Sequence, residues 1–457
     1  MMSKKFSRDP IKGMDDFFPS DMRVVDYITN ILREISELYC YEEFDAPLLE
    51  PIEIYEAKSS TELVNEQSFI VEKKPGERLI LRPEITPTLA RMVAKKSQEL
   101  KKPIRWYSIP KCYRYEQPQK GRRREFLQYN IDILGEDTLY AELEILNIVV
   151  DILTKFGATS DQFQIYFNNR RFIDAVCKII LEIPREKIQL VYTILDKADK
   201  MEESEFEQYL IDSFESEFII RGIKKLRDAD DLDDLIESFD DIPSEFYDSK
   251  GFQELKNLEK LINQANLSEF CSFSSGVVRG LDYYTGTVFE VFDTGEDNIR
   301  AIFGGGRYDD LLSLYSDEQM SGIGFGMGLL MLELFLRTYG LLPEEISVPD
   351  YSEVIYIANI DEKVAPYVFK ISNMIRENDC ACMIDYRFEN LGNQLSKAND
   401  LGVSISLIIG PKEMEEKKVT IKNMISEEQK TVDKSNLISV IEIIFSELEE
   451  KKSPKIH

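Results

Sequence analysis

The spacing of hydrophobic positions changes several times along the chain, and each change marks an expected element. From Asp21 to Tyr39 apolar residues recur at helical spacing, which predicts an amphipathic helix. Phe44 to Leu49 reads as a short strand broken by Pro47. Arg78 to Arg82 reads as a strand that leads into a helix near Thr86 to Lys96, with Thr86 or Pro87 suited to its start. Between Arg105 and Gly135 an apolar run meets an Arg-Tyr-Glu, a basic loop, and a return run that sets Gln128 and Asp132 among apolar residues. That pattern predicts a β-hairpin with charge on its inner face. Leu139 to Phe156 follows as a long helix and Phe163 to Asn168 as a strand.

From about 185 to 265 the sequence turns strongly acidic, helix-periodic and poor in glycine. It reads as a helical insertion in the main domain, or as a solvated helical layer of that domain. Strands are expected again at Ser275 to Arg279, Gly286 to Phe292 and Ile299 to Gly304. Helix-length runs follow at Tyr308 to Leu314 and Leu329 to Leu336. Pro343 to Tyr351 suits a linker. Beyond it, strands at Val354 to Ile360, Ala381 to Asp385, Val403 to Ile409 and Lys418 to Met424 alternate with helices at Val364 to Arg376, Gln394 to Leu401 and Asn436 to Leu448. Such alternation predicts a small α/β domain with a mostly parallel sheet. The expected boundaries are 1–340 for the first domain and 351–450 for the second.

Composition narrows the chemistry. A chain of 457 residues suits about two or three domains. No apolar run reaches the ~18 residues of a membrane span, and MMSKKFSRDP lacks the apolar core of a secretory signal. The expectation is a soluble, cytoplasmic protein without a membrane partner. Six cysteines are scattered with no CxxC pair, so buried free thiols are expected and no metal site. The single histidine is His457, which excludes a histidine triad, a histidine-ligated zinc or a histidine base. The net charge of −28 argues against nucleic acid as a whole-molecule partner. Bases nevertheless cluster at Lys120-Gly-Arg-Arg-Arg124 and from Lys95 to Lys102, so a local basic surface remains open.

Five segments carry candidate chemistry. Arg82-Pro-Glu-Ile-Thr86 sets Glu84 and Thr86 at a strand-to-helix junction, either as acceptors for an ammonium group or as a helix cap with a first-turn acid. In the hairpin, Arg114 and Glu116 share one strand face, as do Gln128 and Asp132. They offer a cation for phosphate and polar groups for a small ligand, or form a salt-bridged sheet face. Val278 to Glu290 brings Arg279, Tyr283 and Tyr284 together as a cation with aromatic walls, or as a turn beside plain core. Phe303-Gly-Gly-Gly-Arg307 lets a ligand approach the backbone and offers Arg307 to phosphate. Gly322-Ile-Gly-Phe-Gly-Met-Gly328 places glycine at period two, as a strand with one face stripped for a flat ligand or for tight packing.

In this order the segments resemble the histidyl-tRNA synthetases, a class II aminoacyl-tRNA synthetase family. Lys12-Gly-Met-Asp-Asp-Phe-Phe-Pro19 is similar to the family's N-terminal signature, and Leu81-Arg-Pro-Glu-Ile-Thr86 to its histidine-binding motif. Tyr113-Arg-Tyr-Glu-Gln-Pro118 through Gln128 resembles class II motif 2, and Arg279 to Glu290 the family-specific RGLDYYxxTVFE segment. Gln394-Leu-Ser-Lys-Ala398 and Val419-Thr-Ile-Lys422 are similar to parts of its anticodon-binding domain. The resemblance implies an α+β fold: an antiparallel-sheet catalytic domain with a helical insertion, plus a C-terminal α/β anticodon-binding domain.

It also implies roles. The amino group of L-histidine would meet Glu84, Thr86 and Gln128. The imidazole would meet Asp132 and Tyr283, with Tyr284 closing the pocket. Arg114 and Arg279 would flank the α-phosphate of ATP as the catalytic pair, Glu116 and Phe126 would hold adenine, and Arg307 would add a further ATP-binding cation. Mg²⁺ would accompany the phosphates, tRNA(His) would accept the product, and the protein would be a homodimer. One departure stands out. Gly328-Leu-Leu-Met-Leu332 has Met331 where the family's third motif carries arginine. Two readings follow: an active ligase in which Arg307 or Arg122 compensates, or a non-catalytic relative that senses histidine or tRNA.

Overall fold

The computed structural model describes residues 7–452, apart from 57–62, 65, 75, 199–200, 230, 279–282, 296–300, 311, 316–318 and 389. The chain divides into two compact units, Met1–Ser347 and Val348–His457. In chain order the strands of the first are β1 (Glu42–Glu43), β2 (Leu49–Pro51), β3 (Ile70–Lys74), β4 (Glu77–Leu81), β5 (Ile104–Ser108), β6 (Lys111–Tyr113), β7 (Glu125–Leu134), β8 (Phe163–Asn169), β9 (Cys271–Phe273), β10 (Thr287–Asp293), β11 (Ala301–Tyr308) and β12 (Gly322–Gly328).

The main sheet runs β1-β5-β7-β12-β11-β10-β8-β9, with β6 added on β7. Only its outer pairs, β1 with β5 and β8 with β9, are parallel. A small antiparallel sheet, β2-β4-β3, stands apart from it.

The centre of the main sheet has two different faces. On β7, Tyr129, Ile131 and Ile133 enter a large apolar core with Ile323, Phe325 and Met327 of β12. Strand alternation therefore sends Gln128, Asn130 and Asp132 to the other face. Helix Pro19–Leu38 covers the core face with Val24, Ile28, Leu32 and Ile35, which its turns bring into one stripe. Ser36 on that helix shares a buried hydrogen bond with the Tyr129 hydroxyl (2.8 Å). Helix Tyr140–Lys155 packs beside it and is buried around most of its circumference.

The acidic stretch forms six helices among the described residues, from Arg185–Ala198 to Lys250–Gln264. Their apolar residues, including Val191, Phe206, Leu226 and Leu255, join the same core as the sheet. Charge is thus confined to the outer faces of an otherwise packed helical layer.

Several local expectations change. The expected strand Phe44–Leu49 is irregular up to Leu48 and joins β1 to β2, which starts at Leu49, and Pro47, with no N–H, sits in that link. Residues 275–278 form a turn, and the strand lies earlier at β9. Tyr308 ends β11, and only a short 3₁₀ turn, Leu312–Leu314, follows it. Among the described cysteines Cys112, Cys177 and Cys271 are buried, Cys380 and Cys382 half-buried and Cys40 exposed, all as free thiols.

The second unit contains β13 (Ile355–Asn359), β14 (Cys382–Ile384), β15 (Ile405–Ile409), β16 (Lys418–Asn423) and β17 (Gln429–Asp433), ordered β14-β13-β15-β16-β17. The β14-β13-β15 part is parallel, while β16 and β17 are antiparallel, so the sheet is mixed rather than mostly parallel. Helices Ala365–Arg376 and Leu391–Asp400 belong to this unit. Gln394 is fully buried and ties the second helix to β13. Its amide donates to Asn359 O (2.7 Å) and accepts from Asn359 N (2.9 Å).

Arg307 of β11 and Glu142 of helix Tyr140–Lys155 form a buried two-pronged ion pair at 2.5 and 2.6 Å. Replacing Glu142 with alanine strands the guanidinium in the core. The expected cost is about 3–5 kcal/mol, read from the denaturant midpoint. An unchanged midpoint would mean that Arg307 reaches water without the acid.

Candidate active site

A cavity of about 270 Å³ opens on the polar face of the main sheet. Its floor comes from β7 and β12. The register sets Gly324 opposite Asp132, Gly326 opposite Asn130, and Gly328 opposite Gln128. A Cβ on Gly324 would overlap the Asp132 carboxylate, and one on Gly326 would overlap the Gln128 amide. Gly324 and Gly326 therefore clear the space that the three polar side chains occupy.

Glu84 and Thr86 line the cavity where β4 passes into helix Thr86–Lys96. The Tyr55 hydroxyl donates to Glu84 O (2.9 Å), and the Tyr283 hydroxyl donates to Glu84 Oε2 (3.2 Å). Tyr283 and Tyr284 form an aromatic wall with centroids 4.8 Å apart. Tyr308 meets Tyr283 edge-on at 5.9 Å. Burial drives the Tyr283 hydroxyl well above its ordinary value, so it stays a neutral donor.

Asp132 is the deepest charge. It is 2 % exposed, and its Oδ1 accepts the Tyr308 hydroxyl at 2.5 Å. Its Oδ2 is buried and has no hydrogen-bond partner among the described residues. Burial pushes this carboxyl up to about 7; the Tyr308 bond restrains the rise and the Glu84 charge adds to it. Arg114 also lines the cavity. Its Nε donates to Pro83 O (3.0 Å), and its guanidinium lies 5.4 Å from the centre of the Phe126 ring. The lining thus combines two acids, one guanidinium and several neutral dipoles, a set suited to a small ligand with an ammonium group and a second donor.

The structure brings Glu84, Thr86, Arg114, Gln128, Asp132, Tyr283 and Tyr284 into this one cavity. Arg279 lies outside the described residues. Phe126 sits next to the cavity, against Arg114. Glu116 is tied to Arg122 at 2.8 Å. Arg307 is a correction. It alternates with the cavity-facing residues Gly304 and Tyr308, so its side chain leaves from the opposite face of β11. There it is consumed by Glu142 and by the carbonyls of Glu136 and Thr138. It offers nothing to a phosphate.

Asn130 and Tyr308 are two of the four lining residues missed by the sequence reading, the others being Leu63 and Gln67. The first had a visible signal, since it lies midway between Gln128 and Asp132 on the same strand face. The second was hidden by its placement in an expected helix.

The basic hairpin tip is folded against its surroundings. Arg123 pairs with Asp15 at 2.6 Å, Arg124 N donates to Gly13 O at 2.6 Å, and the Arg124 guanidinium covers Tyr115 at 4.1 Å. Gly13 has a φ of +87°, and a side chain there would press on Pro118. The N-terminal signature is thus a seat for the hairpin. Gly121, at φ +78°, packs directly on Met331.

An antiparallel sheet with an acid-lined cavity for a small amine, followed by a separate α/β unit, is the arrangement of a class II aminoacyl-tRNA synthetase. The family model described as "Histidyl-tRNA synthetase" matches residues 13–332, and that described as "Anticodon binding domain" matches residues 354–443. The histidine–tRNA ligase of Leptospira biflexa serovar Patoc is 35% identical over 441 residues, covering 96% of this chain and 99% of the relative. That of Haloarcula marismortui is 33% identical over 434 residues, covering 93% and 95%. The chain belongs to the histidyl-tRNA synthetase family. The fold agrees with that of the histidyl-tRNA synthetase from Nostoc sp. PCC 7120, with a TM-score of 0.74 at 23% identity and coverage of 96% and 99%. It also agrees with the apo enzyme of S. aureus, with a TM-score of 0.69 at 23% identity and coverage of 95% and 100%.

The Asp132 carboxyl has a consequence for stability. In the unfolded chain it titrates near ~4; in the fold it holds its proton up to about 7. Its contribution is full below the unfolded value and is lost as pH rises through 7. Between pH 5 and pH 8 the denaturant midpoint of the parent chain is expected to fall relative to Asp132→Asn. Parallel profiles would mean that the acid is ionised throughout.

Proposed function

We propose that this chain is a histidine–tRNA ligase working through the cavity on its main sheet. The observation that carries the reading is the buried Oδ2 of Asp132, without a hydrogen-bond partner among the described residues, in a cavity that also holds Glu84 and Thr86. A free acceptor at that depth calls for a side chain with a polarised N–H, and an imidazole supplies one. Glu84, Thr86 and Gln128 take the α-amino group. Tyr283 meets the ring and Tyr284 closes the wall. A pocket built on such bonds rejects amino acids that cannot make them, because its buried groups are then left unpaired.

In the first step a histidine carboxylate oxygen attacks the α-phosphorus of ATP. The bond to the bridging oxygen breaks and pyrophosphate leaves. Arg114, with Arg279 as its proposed second guanidinium, stabilises charge on the phosphorus oxygens. Holding the two reactants in line supplies much of the remaining gain. ATP enters as its Mg²⁺ complex. Such a complex needs only one or two carboxylates beside the phosphates, and among the described residues no cluster of three or more potential ligands is present. Phe126 and Glu116 are the proposed adenine contacts, which requires the Glu116–Arg122 pair to open. In the second step a 3′-terminal hydroxyl of tRNA(His) attacks the adenylate carbonyl and AMP leaves.

Met331 removes one cation from the ATP edge, and Arg307 does not replace it. Arg122 is the cation left near that edge, since its present partner Glu116 belongs to the same hairpin. Among the described residues no helix is long and apolar enough to cross a membrane. Dependence on transfer RNA makes the cytoplasm the proposed location. The proposed homodimer is supported by Leu48, Leu49, Ile70 and Val71, all exposed on or beside the small sheet.

Histidine-dependent ATP–pyrophosphate exchange tests the reading. The parent chain is expected to exchange with histidine alone among the amino acids, and Arg114→Ala to lose roughly 10²–10³-fold. Absence of exchange would leave the non-catalytic sensor; exchange with another amino acid would overturn the pocket assignment. Light scattering with added tRNA reads both macromolecular partners. A dimer whose tRNA affinity falls steeply from low to moderate salt is expected. An active monomer would overturn the dimer, and a flat salt response would overturn the basic tRNA contacts.

A further inference from the structure

A short helix behind the tyrosine wall carries two arginines that the reaction does not use. Helix Arg170–Ala175 follows β8 and is capped by the Asn169 side chain. The Arg170 guanidinium donates to Tyr284 O at 3.0 Å. The Arg171 guanidinium lies between two acids. Its Nη1 donates to both oxygens of Glu254, at 3.0 and 2.8 Å, and its Nη2 donates to Asp309 Oδ2. That same Asp309 oxygen accepts the Thr285 hydroxyl at 2.8 Å, and Asp309 N donates back to Thr285 Oγ1 at 3.0 Å. Thr285 directly follows Tyr283 and Tyr284 in the chain, and Asp309 directly follows Tyr308. Glu254 comes from elsewhere: it sits in helix Lys250–Gln264, the last helix of the acidic insertion. Gly251 of that helix lies on the backbone of Arg171, where a Cβ would come within 2.3 Å of Arg171 O. Gly286 clears the other side, since a Cβ there would lie 3.0 Å from Arg171 Nη1.

We propose that Arg171 is a positioning residue through which the helical insertion sets the tyrosine wall of the cavity. The inference rests on the reading of the cavity as a histidine site. Arg171 acts through Asp309 and Thr285, and Glu254 fixes the direction in which its fork points. The line of contacts runs without a gap from the insertion to the residue that follows Tyr284. Arginine suits this place because its planar fork serves two acids at once, which the single point charge of a lysine does not. The side chains of Arg171, Glu254 and Asp309 are 24 %, 18 % and 26 % exposed, so solvent screens the network only in part. The insertion is thus a brace for the site as well as a packed layer. Contacts of the wall with histidine exist before and during the reaction, so a displaced wall raises KM rather than lowering kcat.

The test is pyrophosphate exchange with L-histidine and ATP varied in turn, on the parent chain, Glu254→Gln, Thr285→Val and the double variant. Each single substitution removes one end of the line and leaves every cavity residue in place. In each, the KM for histidine should rise roughly tenfold, while kcat and the KM for ATP stay within about twofold. The double variant should show no more than the larger single effect, because both ends act through Arg171 and Asp309. Effects that multiply would mark two independent sites and overturn the proposal. An unchanged KM for histidine would also overturn it, as would an equal rise in the KM for ATP. A fall in kcat with both KM values held would show a merely structural role and overturn it too. Should Glu254→Gln fail to fold, Arg171→Lys combined with Thr285→Val carries the same comparison. Silence of the parent chain with histidine would remove the functional reading and this inference with it, whereas any of the other contrary results in an active parent removes this inference alone.

Discussion

A carboxyl group with no countercharge among the described residues sits at the floor of the first unit, and the site is organised around keeping it there. Burying an ion costs several kcal/mol unless it is paired. Among the described residues Asp132 has a single phenol for one oxygen and nothing for the other. Its carboxyl answers by holding a proton up to about 7. Other acids in this fold are treated differently: Glu142, equally buried, is given the two-pronged Arg307. The contrast lies within one sheet. On the core face charge is neutralised inside the molecule, and on the cavity face it is left for a ligand.

The backbone makes that possible. Asp132, Asn130 and Gln128 have room on one strand because the next strand presents Gly324 and Gly326 beside them. The far faces of both strands are apolar and lock the register into the core. A one-residue slip would bury the polar row and expose Tyr129, Ile131 and Ile133. Pocket chemistry and fold stability are therefore fixed by the same hydrogen-bonded ladder. The hairpin tip above it is held more lightly, by half-exposed ion pairs with Asp15 and Glu116 and by the contact of Gly121 with Met331. Such exposed pairs contribute little, which suits a segment that must rearrange when phosphate arrives.

Much of this was legible in the sequence because period and chemistry agreed. The Gly322–Gly328 alternation announced a stripped strand, and Gln128 with Asp132 announced a polar face. Failures came where a single residue decides direction. Arg307 beside three glycines looked like a phosphate ligand, yet strand parity turns it to the core. Tyr308 was read into a helix because its neighbours Asp309 and Asp310 resemble a helix start, and β11 overrode that local signal through pairing. Strand β17, Gln-Lys-Thr-Val-Asp, was invisible because only Val432 is buried on that edge. The mixed order of the second sheet is set where β16, an expected strand, pairs antiparallel to β15, a direction that the alternation of elements does not encode.

The central claim is that the free oxygen of Asp132 selects an imidazole. A crystal structure of the chain with bound L-histidine tests it most directly. The predicted result is the far ring nitrogen within hydrogen-bond distance of Asp132 Oδ2 and the amino group against Glu84 and Thr86. Histidine bound the other way round, with its amino group on Asp132 and its ring toward Arg114, would contradict the claim.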